Sequence, residues 1–400
     1  MDRQELIREL SVKNETKLLM VVMDGVGDIP LNGQTPLQAA NKPNLDKLAV
    51  ESELGLTIPV LRGITPGSGP GHLGLFGYEP LKYRIGRGIL EALGIDVEVG
   101  ENDLVARANF ATIEGETIVD RRAGRPPTEV SSKIVEKLSK NIKEIDGVKI
   151  SLYPGKEHRF VVKFTGKELD ERLSDADPQK EGKPILFAEP QDEHAEKTAE
   201  IVNKFMKKVR EVLADEKKMN FALLRGFSKH PDMPGFSEVY KLSAGAIATY
   251  PMYRGLAKLV GMNILKTGTT ISDEVETLKE HWNDYDFFFF HVKKTDSYGE
   301  DGDFDKKVKV IEEFDQHLPV LLELKPDVTV VVGDHSTPVP IKSHSWHPVP
   351  FMISSKYVRK GANKAYDEYE CSKGVLGVMD AVDILPLMLA NGLRLDKFGA

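Results

Sequence analysis

Residues 18–25 of the chain, LLMVVMDG, are a continuous apolar run that stops at an aspartate and a glycine. A short apolar run without alternation is typical of a strand buried on both faces of a parallel sheet. Two later stretches have the same form, DFFFFHV at residues 286–292 and VTVVVGDH at residues 328–335. Because helical patterns separate these strands, the sequence predicts an α/β fold with a largely parallel sheet.

The middle of the chain has a different pattern. Strand-like pieces at residues 106–113 and 159–164 alternate with charged helical stretches at residues 131–145 and 193–214. Residues 173–190 are rich in Asp, Pro, Lys and Glu and predict a surface loop. We therefore expect one α/β domain formed by residues 1–82 and 240–400, with an α+β domain inserted at residues 83–239.

Further helices are expected on each side of this insertion. Residues 43–51 form a helical pattern with Asn41 as its candidate cap. Later helical patterns occupy residues 275–282, 304–324 and 380–390.

Length and charge limit the classes of function. The chain has 400 residues, which favours two to three domains. Its 54 basic and 62 acidic side chains give a net charge of −8, which argues against nucleic acid or an anionic membrane as the main partner. A local basic pocket for a small anion remains compatible with this charge. The single cysteine, Cys371, excludes an internal disulfide and a cysteine-rich metal site.

The sequence also predicts where the protein works. The first residues, MDRQELIREL, have no apolar core of the kind found in export signals. No apolar run approaches the ~20 residues that span a bilayer. We expect a cytoplasmic protein with neither a nucleic-acid nor a membrane partner.

Potential ligands follow each of the three apolar strands. Asp24 ends the first strand, and Asp334 and His335 end the third. The second carries His291, with Asp296 and Glu300 just beyond it. If the strands are parallel neighbours, these groups converge at one edge of the sheet.

Carboxylates and imidazoles without thiolates suit Mn²⁺, Zn²⁺ or Mg²⁺. Two such ions, roughly 3.5–4 Å apart, can clamp a phosphoryl group during transfer. Taken singly, each residue could instead be a turn residue, and residues 296–305 could be an acidic solvated loop. That loop lacks the ligand register and terminal glutamate of an EF-hand.

A glycine-rich stretch, GITPGSGPGHLGLFG at residues 63–77, supplies a candidate nucleophile, Ser68. Small neighbours would let a phosphoryl group approach, and a serine hydroxyl needs a base or a metal for activation. No Ser-His-Asp spacing is recognisable, so activation by a metal is the preferred hypothesis. The alternative is a serine that only shapes the loop.

Two nucleotide-binding patterns are not supported. Residues 69–74, GPGHLG, match the dinucleotide pattern GxGxxG, but they follow a helix instead of the first strand, and Pro70 interrupts them. The P-loop pattern is absent.

An ordered series of segments runs from Leu18 to Leu389. It comprises LLMVVMDGVGD, TPGSGPGHLGLFGYEPLKYRIGRGILEALG, RANFATI, VDRRAGRP, HVKKTDSYGEDGDF, GDHSTP, SHSWHPVPF and GVLGVMDAVDILPLML. The series resembles the archaeal-type cofactor-independent (2,3-bisphosphoglycerate-independent) phosphoglycerate mutases of the alkaline phosphatase superfamily.

This resemblance implies an alkaline-phosphatase-like sheet sandwiched by helices, with an inserted domain that closes over the substrate. It also implies an isomerase of glycolysis and gluconeogenesis that interconverts 3-phosphoglycerate and 2-phosphoglycerate through a phosphoserine. The enzyme would use two divalent metal ions and no 2,3-bisphosphoglycerate.

The resemblance also assigns roles to residues. Ser68 matches the phosphorylated serine. Asp24, Ser68, Asp334 and His335 match one metal shell, and Asp296 and His344 match ligands of the other. The family usually has Asp-x-x-x-His in the second shell, whereas this chain has Glu300 in place of the histidine. We predict that Glu300 is a ligand; His291 and Asp301 are the alternatives.

A substrate with a phosphate and a carboxylate calls for arginines. Family-like segments contain the candidate substrate-binding residues Arg107, Arg121, Arg125, Arg225 and Arg254. Arg87 is a further candidate that could instead pack at a domain hinge. Any one arginine could form a surface ion pair, and the inserted domain could be a dimerisation module, so a homo-oligomer stays open.

Two other functions compete with the mutase hypothesis. One is a metal-dependent phosphatase or phosphotransferase of the same superfamily with another small phosphorylated substrate. The other is a binding protein that has lost catalysis, for which Glu300 is the only support.

Overall fold

The computed structural model describes residues 1–399. The chain divides into two compact units, one formed by residues 1–84 with residues from 233 onward, the other by residues 85–232. We predicted the division after residues 82 and 239. The roles of the two units stay predictions.

The strands, in chain order, are β1 Leu18–Met23, β2 Glu53–Ile58, β3 Asp103–Glu114, β4 Thr117–Asp120, β5 Glu144–Ile145, β6 Val148–Pro154, β7 Arg159–Thr165, β8 Phe221–Ser228, β9 Ala244–Ile247, β10 Asn263–Ile264, β11 Phe287–Val292, β12 Val328–Val332, β13 Val349–Ser355 and β14 Gly377–Asp380.

The α-helices are α1 Arg3–Leu10, α2 Pro36–Ala39, α3 Pro43–Val50, α4 Ser68–Leu75, α5 Arg87–Gly94, α6 Thr128–Asn141, α7 Glu196–Val212, α8 Phe236–Tyr240, α9 Pro251–Leu259, α10 Ile271–His281, α11 Lys294–Asp301, α12 Phe304–Glu323, α13 Glu368–Ser372 and α14 Ile384–Asn391. Short 3₁₀ helices occupy Glu193–Ala195 and Ala381–Asp383.

The first unit is built on a sheet with the strand order β10-β9-β11-β1-β12-β13-β2-β14. Strand β1 pairs in parallel with both β11 and β12, and Val22 lies opposite His291 on one side and Val332 on the other. Every residue of these three strands is buried. Because successive side chains point to opposite faces of a sheet, both faces must be covered. The α/β prediction is therefore confirmed.

Helix α12 shows how one face is covered. Its buried residues Ile311, Phe314 and Leu318 follow helical spacing and share a core with Leu19 and Val21 of β1. Full burial of one such side chain stabilises the fold by roughly 1.5–3 kcal/mol.

The second unit has its own antiparallel sheet and core. Strand β3 pairs with β4, β7 and β8, and the sheet continues through β6 to β5. Phe110 and Phe160 stack with their ring centroids 4.5 Å apart inside a core that includes buried residues of α6 and α7. The predicted α+β character of the insertion is confirmed.

The structure decides three local questions. Residues 294–301 form helix α11, which ends at Gly302 with φ 73°, so the acidic stretch is not simply a solvated loop. The residue before α3 is Lys42 and makes no side-chain cap, so Asn41 is not the cap. Residues 173–190 lack regular helix or strand, which confirms the predicted loop; within it, Asp177 is buried and pairs with Arg121.

Between residues 1 and 399, none of the helices combines the length and the apolarity needed to cross a bilayer.

Candidate active site

The carboxyl ends of β11, β1 and β12 bring the predicted ligands together in the first unit. Asp24 directly follows β1, and Asp334 and His335 follow β12 after Gly333. All three side chains are fully buried. Asp296 lies in the first turn of α11, the helix that follows β11, and is 3% exposed. Parallel pairing thus places at one sheet edge groups that are about 300 residues apart in the chain.

His335 lies at the centre of this cluster. Its Nε2 atom is 3.3 Å from Asp24 Oδ1, 3.2 Å from Asp334 Oδ2 and 4.0 Å from Asp296 Oδ1. Ligand atoms of Asp24, Asp334 and His335 lie within 4.8 Å of one another and could hold a metal ion.

A second set of three potential ligands overlaps the first at His335. It consists of Asp296, His335 and His344, whose ligand atoms also lie within 4.8 Å of one another. His344 Nε2 is 3.5 Å from Asp296 Oδ1, and its other ring nitrogen donates to the carbonyl of Pro66 at 2.9 Å. The His335 and His344 rings stack with centroids 3.7 Å apart.

Glu300 lies at the edge of this second set. Its Oε1 atom is 3.9 Å from His344 Nε2, and its side chain is 56% exposed. Partial burial, together with nearby Asp296, raises the pKa of the Glu300 carboxyl above the ordinary range. Its role as a ligand stays a prediction.

Ser68 is the first residue of α4, next to the same cluster. Its hydroxyl oxygen is 3.2 Å from His335 Nε2. The N-cap residue Gly67 provides no side-chain cap, so backbone N–H groups of the first turn remain available to an anion. A Cβ atom on Gly71 would lie 2.4 Å from the carbonyl oxygen of Asp334, so this glycine allows α4 to approach the ligand loop. Residues 69–74, which match the GxGxxG pattern, lie within this helix.

The buried polar atoms fit divalent cations. Asp24 Oδ1 and Asp334 Oδ2 are buried carboxylate oxygens without a hydrogen-bond partner. Buried carboxylates are costly unless they are paired or coordinate metal ions. The donor set of carboxylates, imidazoles and a serine hydroxyl suits Mn²⁺, Zn²⁺ or Mg²⁺.

The electrostatics of the cluster agree with this fit. Burial raises the pKa of Asp24, but the Lys293 ammonium and the His335 imidazole outweigh it and hold the pKa well below its usual range. For His335, burial lowers the pKa, but Asp334 and Asp24 outweigh it and raise the pKa to about 9. The Asp24 carboxyl thus stays ionised, and the raised pKa of His335 reflects negative charge around it that would attract a cation.

Several residues of the site were not predicted from the sequence. Lys293 Nζ lies 2.9 Å from Asp24 Oδ2 and 2.5 Å from Asp296 Oδ2, and the Tyr253 hydroxyl donates to Asp24 Oδ2 at 2.5 Å. His72 Nδ1 donates to the carbonyl of Ser68 at 2.9 Å and lies 3.0 Å from Asp334 Oδ2. His72 follows Ser68 by four residues, and in a helix this spacing places both on one face, so the sequence contained a signal for His72.

His291, one of the alternatives to Glu300, is also at this edge. Its Nε2 atom is 3.6 Å from Asp24 Oδ2, and neither ring nitrogen has a hydrogen-bond partner. Burial lowers its pKa well below the ordinary range, so the imidazole is neutral.

The second unit contains a cavity of about 430 Å³ with a basic lining. It is lined by Arg87, Arg107, Asn109, Arg121, Arg122, Arg125, Glu157, His158, Arg159, Gln179 and Arg225. Burial and nearby Arg87 lower the pKa of Arg225, and burial and Arg159 lower that of His158 to about 4. Such mutual repulsion favours the binding of an anion.

Four of the five predicted arginines line this cavity, namely Arg107, Arg121, Arg125 and Arg225. Arg121 makes a bidentate pair with the Asp177 carboxylate, with distances of 3.1 and 2.7 Å. Arg254 lies on α9 of the first unit and is not among the lining residues of this cavity. Arg122, Arg159 and His158 also line the cavity and were not predicted from the sequence.

Comparison with known proteins identifies the family. A family model described as 2,3-bisphosphoglycerate-independent phosphoglycerate mutase matches residues 49–219. A protein of Thermotoga neapolitana is 65% identical over 400 residues, covering 100% of both chains. A protein of Aquifex aeolicus is 53% identical over 406 residues, covering 99% of this chain and 100% of its own. Both are named "Probable 2,3-bisphosphoglycerate-independent phosphoglycerate mutase".

A solved structure agrees. The cofactor-independent phosphoglycerate mutase from Thermoplasma acidophilum is 28% identical and covers 94% of this chain and 100% of its own, with a TM-score of 0.73. Full-length identity well above 30%, together with this shared fold, shows that the chain belongs to the 2,3-bisphosphoglycerate-independent phosphoglycerate mutases, a family of isomerases.

Proposed function

We propose that the protein interconverts 3-phosphoglycerate and 2-phosphoglycerate through a phosphoserine formed on Ser68. It works with two divalent metal ions and without 2,3-bisphosphoglycerate. We place this activity in glycolysis and gluconeogenesis in the cytoplasm, with the phosphoglycerates as its small-molecule partners.

One observation carries the proposal. The Ser68 hydroxyl is at the N-terminus of α4 and 3.2 Å from His335, the residue shared by two overlapping sets of potential metal ligands. A nucleophile beside two cation sites and a helix N-terminus is suited to phosphoryl transfer, because the transferred group carries negative charge on its oxygens.

The chain's own residues account for the two half-reactions. Ser68 Oγ attacks the phosphorus of 3-phosphoglycerate, the bond from phosphorus to the C3 oxygen breaks, and the serine proton ends on that oxygen. The C2 hydroxyl then attacks the phosphoserine, and its proton returns to Ser68. The atoms balance without water or a second phosphate donor.

The predicted arginines bind the substrate phosphate and carboxylate, because guanidinium groups match the geometry of these anions. They are Arg107, Arg121, Arg125, Arg225 and Arg254. This binding retains the glycerate while it reorients, and it separates a mutase from a phosphatase, whose alcohol product can leave.

The metal ions would be held by Asp24, Ser68, Asp334 and His335 in one set and by Asp296, Glu300 and His344 in the other. Divalent ions there supply charge neutralisation of the phosphoryl oxygens and a lower pKa for the serine hydroxyl.

The test is product analysis with 3-phosphoglycerate as the only phosphorylated compound, run beside Ser68→Ala. We expect 2-phosphoglycerate from the wild type, and at least roughly a thousandfold lower rate in a variant with an unchanged circular dichroism spectrum. Release of inorganic phosphate as the main product would indicate a phosphatase. A near-normal rate in the variant would remove Ser68 from the mechanism.

A further inference from the structure

A buried threonine joins the two sets of potential metal ligands. Thr337 is fully buried and follows His335 by two residues. Its hydroxyl oxygen is 2.7 Å from Asp296 Oδ1 and 2.9 Å from His335 Nδ1. Asp296 occurs only in the set with His344, whereas His335 also belongs to the set with Asp24 and Asp334. The Thr337 hydroxyl therefore contacts Asp296 of one set and His335, which the two sets share.

The direction of these hydrogen bonds follows from their chemistry. An ionised carboxylate only accepts, so the Thr337 hydroxyl donates to Asp296 and must accept from His335 Nδ1–H. His335 then presents Nε2 to Asp24, Asp334 and Ser68, all at 3.2–3.3 Å. The hydroxyl thus selects which ring nitrogen faces the ligand cluster.

The backbone of Thr337 is itself fixed by a buried lysine. Lys307 of α12 is fully buried, and its ammonium donates to the carbonyls of Thr337 and Gly25, both at 2.9 Å, and to Asp28 Oδ2 at 2.8 Å. Three acceptors satisfy the three donors of an ammonium group. Gly25 is adjacent to Asp24, so Lys307 ties the loop after β1 to the loop after β12.

Gly25 leaves room for the Thr337 hydroxyl. Gly25 has φ 59°, and a Cβ atom there would lie 2.5 Å from Thr337 Oγ1 and 2.9 Å from Asp296 Oδ1. The backbone amide of Thr337 also donates to the carbonyl of Gly27 at 3.0 Å. A side chain at position 25 would therefore displace the Thr337 hydroxyl from its place beside Asp296.

We propose that Thr337 is a positioning residue that couples the two ligand sets, so that its hydroxyl sets the metal affinity of both. The proposal rests on the proposed function in one respect, that both sets bind divalent ions. Without the hydroxyl, the buried His335 Nδ1–H loses its acceptor and Asp296 loses a donor, so a ligand on each side is released from its orientation. Residues that orient metal ligands typically change metal affinity by about 10–100-fold when mutated.

Two substitutions separate the hydroxyl from the methyl group. Thr337→Val keeps the shape and removes the hydroxyl, whereas Thr337→Ser keeps the hydroxyl and removes the methyl group; Thr337→Ala serves if the valine variant does not fold. Each full-length protein is stripped with chelator and titrated with Mn²⁺ by calorimetry, with thermal unfolding of the stripped proteins as the control for folding.

We expect the wild type to bind two Mn²⁺ ions per chain. The valine variant should bind both about 10–100-fold more weakly, and the serine variant should stay within about threefold of the wild type. Wild-type affinity in the valine variant, weakening of one ion only, or equal losses in the serine and valine variants would overturn the coupling while leaving the proposed function intact. A wild type that binds no divalent ion would overturn the proposed function together with this inference.

Discussion

Glu300 occupies the position at which the family resemblance implies a histidine ligand, so a substitution there tests whether the glutamate is a ligand. We predict that Glu300→His shifts the preference of the activity from Mn²⁺ or Mg²⁺ toward Zn²⁺, because imidazole is a softer ligand than carboxylate. The measurement is the rate with each metal added to the stripped protein, compared between wild type and variant.

Glu300→Gln is the matched control, because it keeps the length of the side chain and removes its charge. If metal affinity and metal preference are the same in the wild type and both variants, Glu300 points to solvent and is not a ligand.

Glu274 is a buried acid outside the ligand cluster. It lies on α10, is 3% exposed, and burial together with nearby Asp273 raises its pKa from about 4.5 to about 8. Because the folded-state pKa is above the unfolded one, the stabilisation is complete below pH 4.5 and is lost as the pH rises to 8. Each unit of pKa difference corresponds to about 1.4 kcal/mol.

We therefore predict that Glu274→Gln has nearly the wild-type melting temperature at pH 5 and a higher one at pH 9, by several degrees. Thermal unfolding at both pH values, followed by circular dichroism in the presence of chelator, measures the difference. A constant offset between the two proteins across this range would show that Glu274 does not titrate in the folded state as described.

At the residue scale, proximity to a strand end decided what could be predicted from the sequence. Asp24, Asp334 and His335 directly follow apolar strands, so parallel pairing was enough to bring them together. Lys307 and Thr337 could not be predicted, because their contact depends on how α12 packs beside two loops. No spacing along the chain encodes that packing.

At the level of secondary structure, the packing of α4 against the loop that carries Asp334 requires a glycine at position 71. We predict that Gly71→Ala lowers the mutase rate at least tenfold and the melting temperature by a few degrees, because overpacking costs roughly 1–3 kcal/mol and its Cβ atom would lie 2.4 Å from the Asp334 carbonyl oxygen. Steady-state kinetics and thermal unfolding measure the two effects.

Gly235→Ala is the control for Gly71→Ala, because it makes the same substitution at a glycine with free space around it. Gly235 precedes α8, has φ −69° and has no atom within 4 Å of the Cβ position. Equal effects of the two substitutions would show that the close approach of α4 to the ligand loop is unimportant.

The elements differ in how well the sequence predicted them. The strands β1, β11 and β12 were predicted because continuous apolar runs have few other uses in a chain of this composition. Helix α11 was less apparent, because DSYGEDGDFD has many turn-forming and acidic residues and few apolar ones. Tertiary contacts, such as that of Asp296 with Thr337, stabilise this helix, and they exist only in the folded unit.

For the whole molecule, we predict an absolute requirement for divalent metal and none for 2,3-bisphosphoglycerate. Chelator followed by dialysis should abolish the mutase rate, and added Mn²⁺ should restore it without bisphosphoglycerate. The buried carboxylate oxygens without hydrogen-bond partners are the physical reason. Full activity after exhaustive removal of metal would contradict the assignment of the ligand cluster.

The inserted unit illustrates the limit of prediction for a binding surface. Arginines in family-like segments pointed to four lining residues of the cavity, whereas Arg122, Arg159 and His158 enter it through the pairing of β3 with β7 and the turn after β4. Register between strands distant in sequence is set by the packed core, so these positions followed only from the structure.

The central claim is that Ser68 carries the phosphoryl group during turnover. The most direct measurement is to quench the metal-loaded enzyme in acid while it turns over 3-phosphoglycerate and to map phosphorylated peptides by mass spectrometry. We expect a phosphoserine at Ser68 that is absent before substrate is added and absent in Ser68→Ala. Phosphate found on a histidine, or an active enzyme whose Ser68 is never phosphorylated, would contradict it.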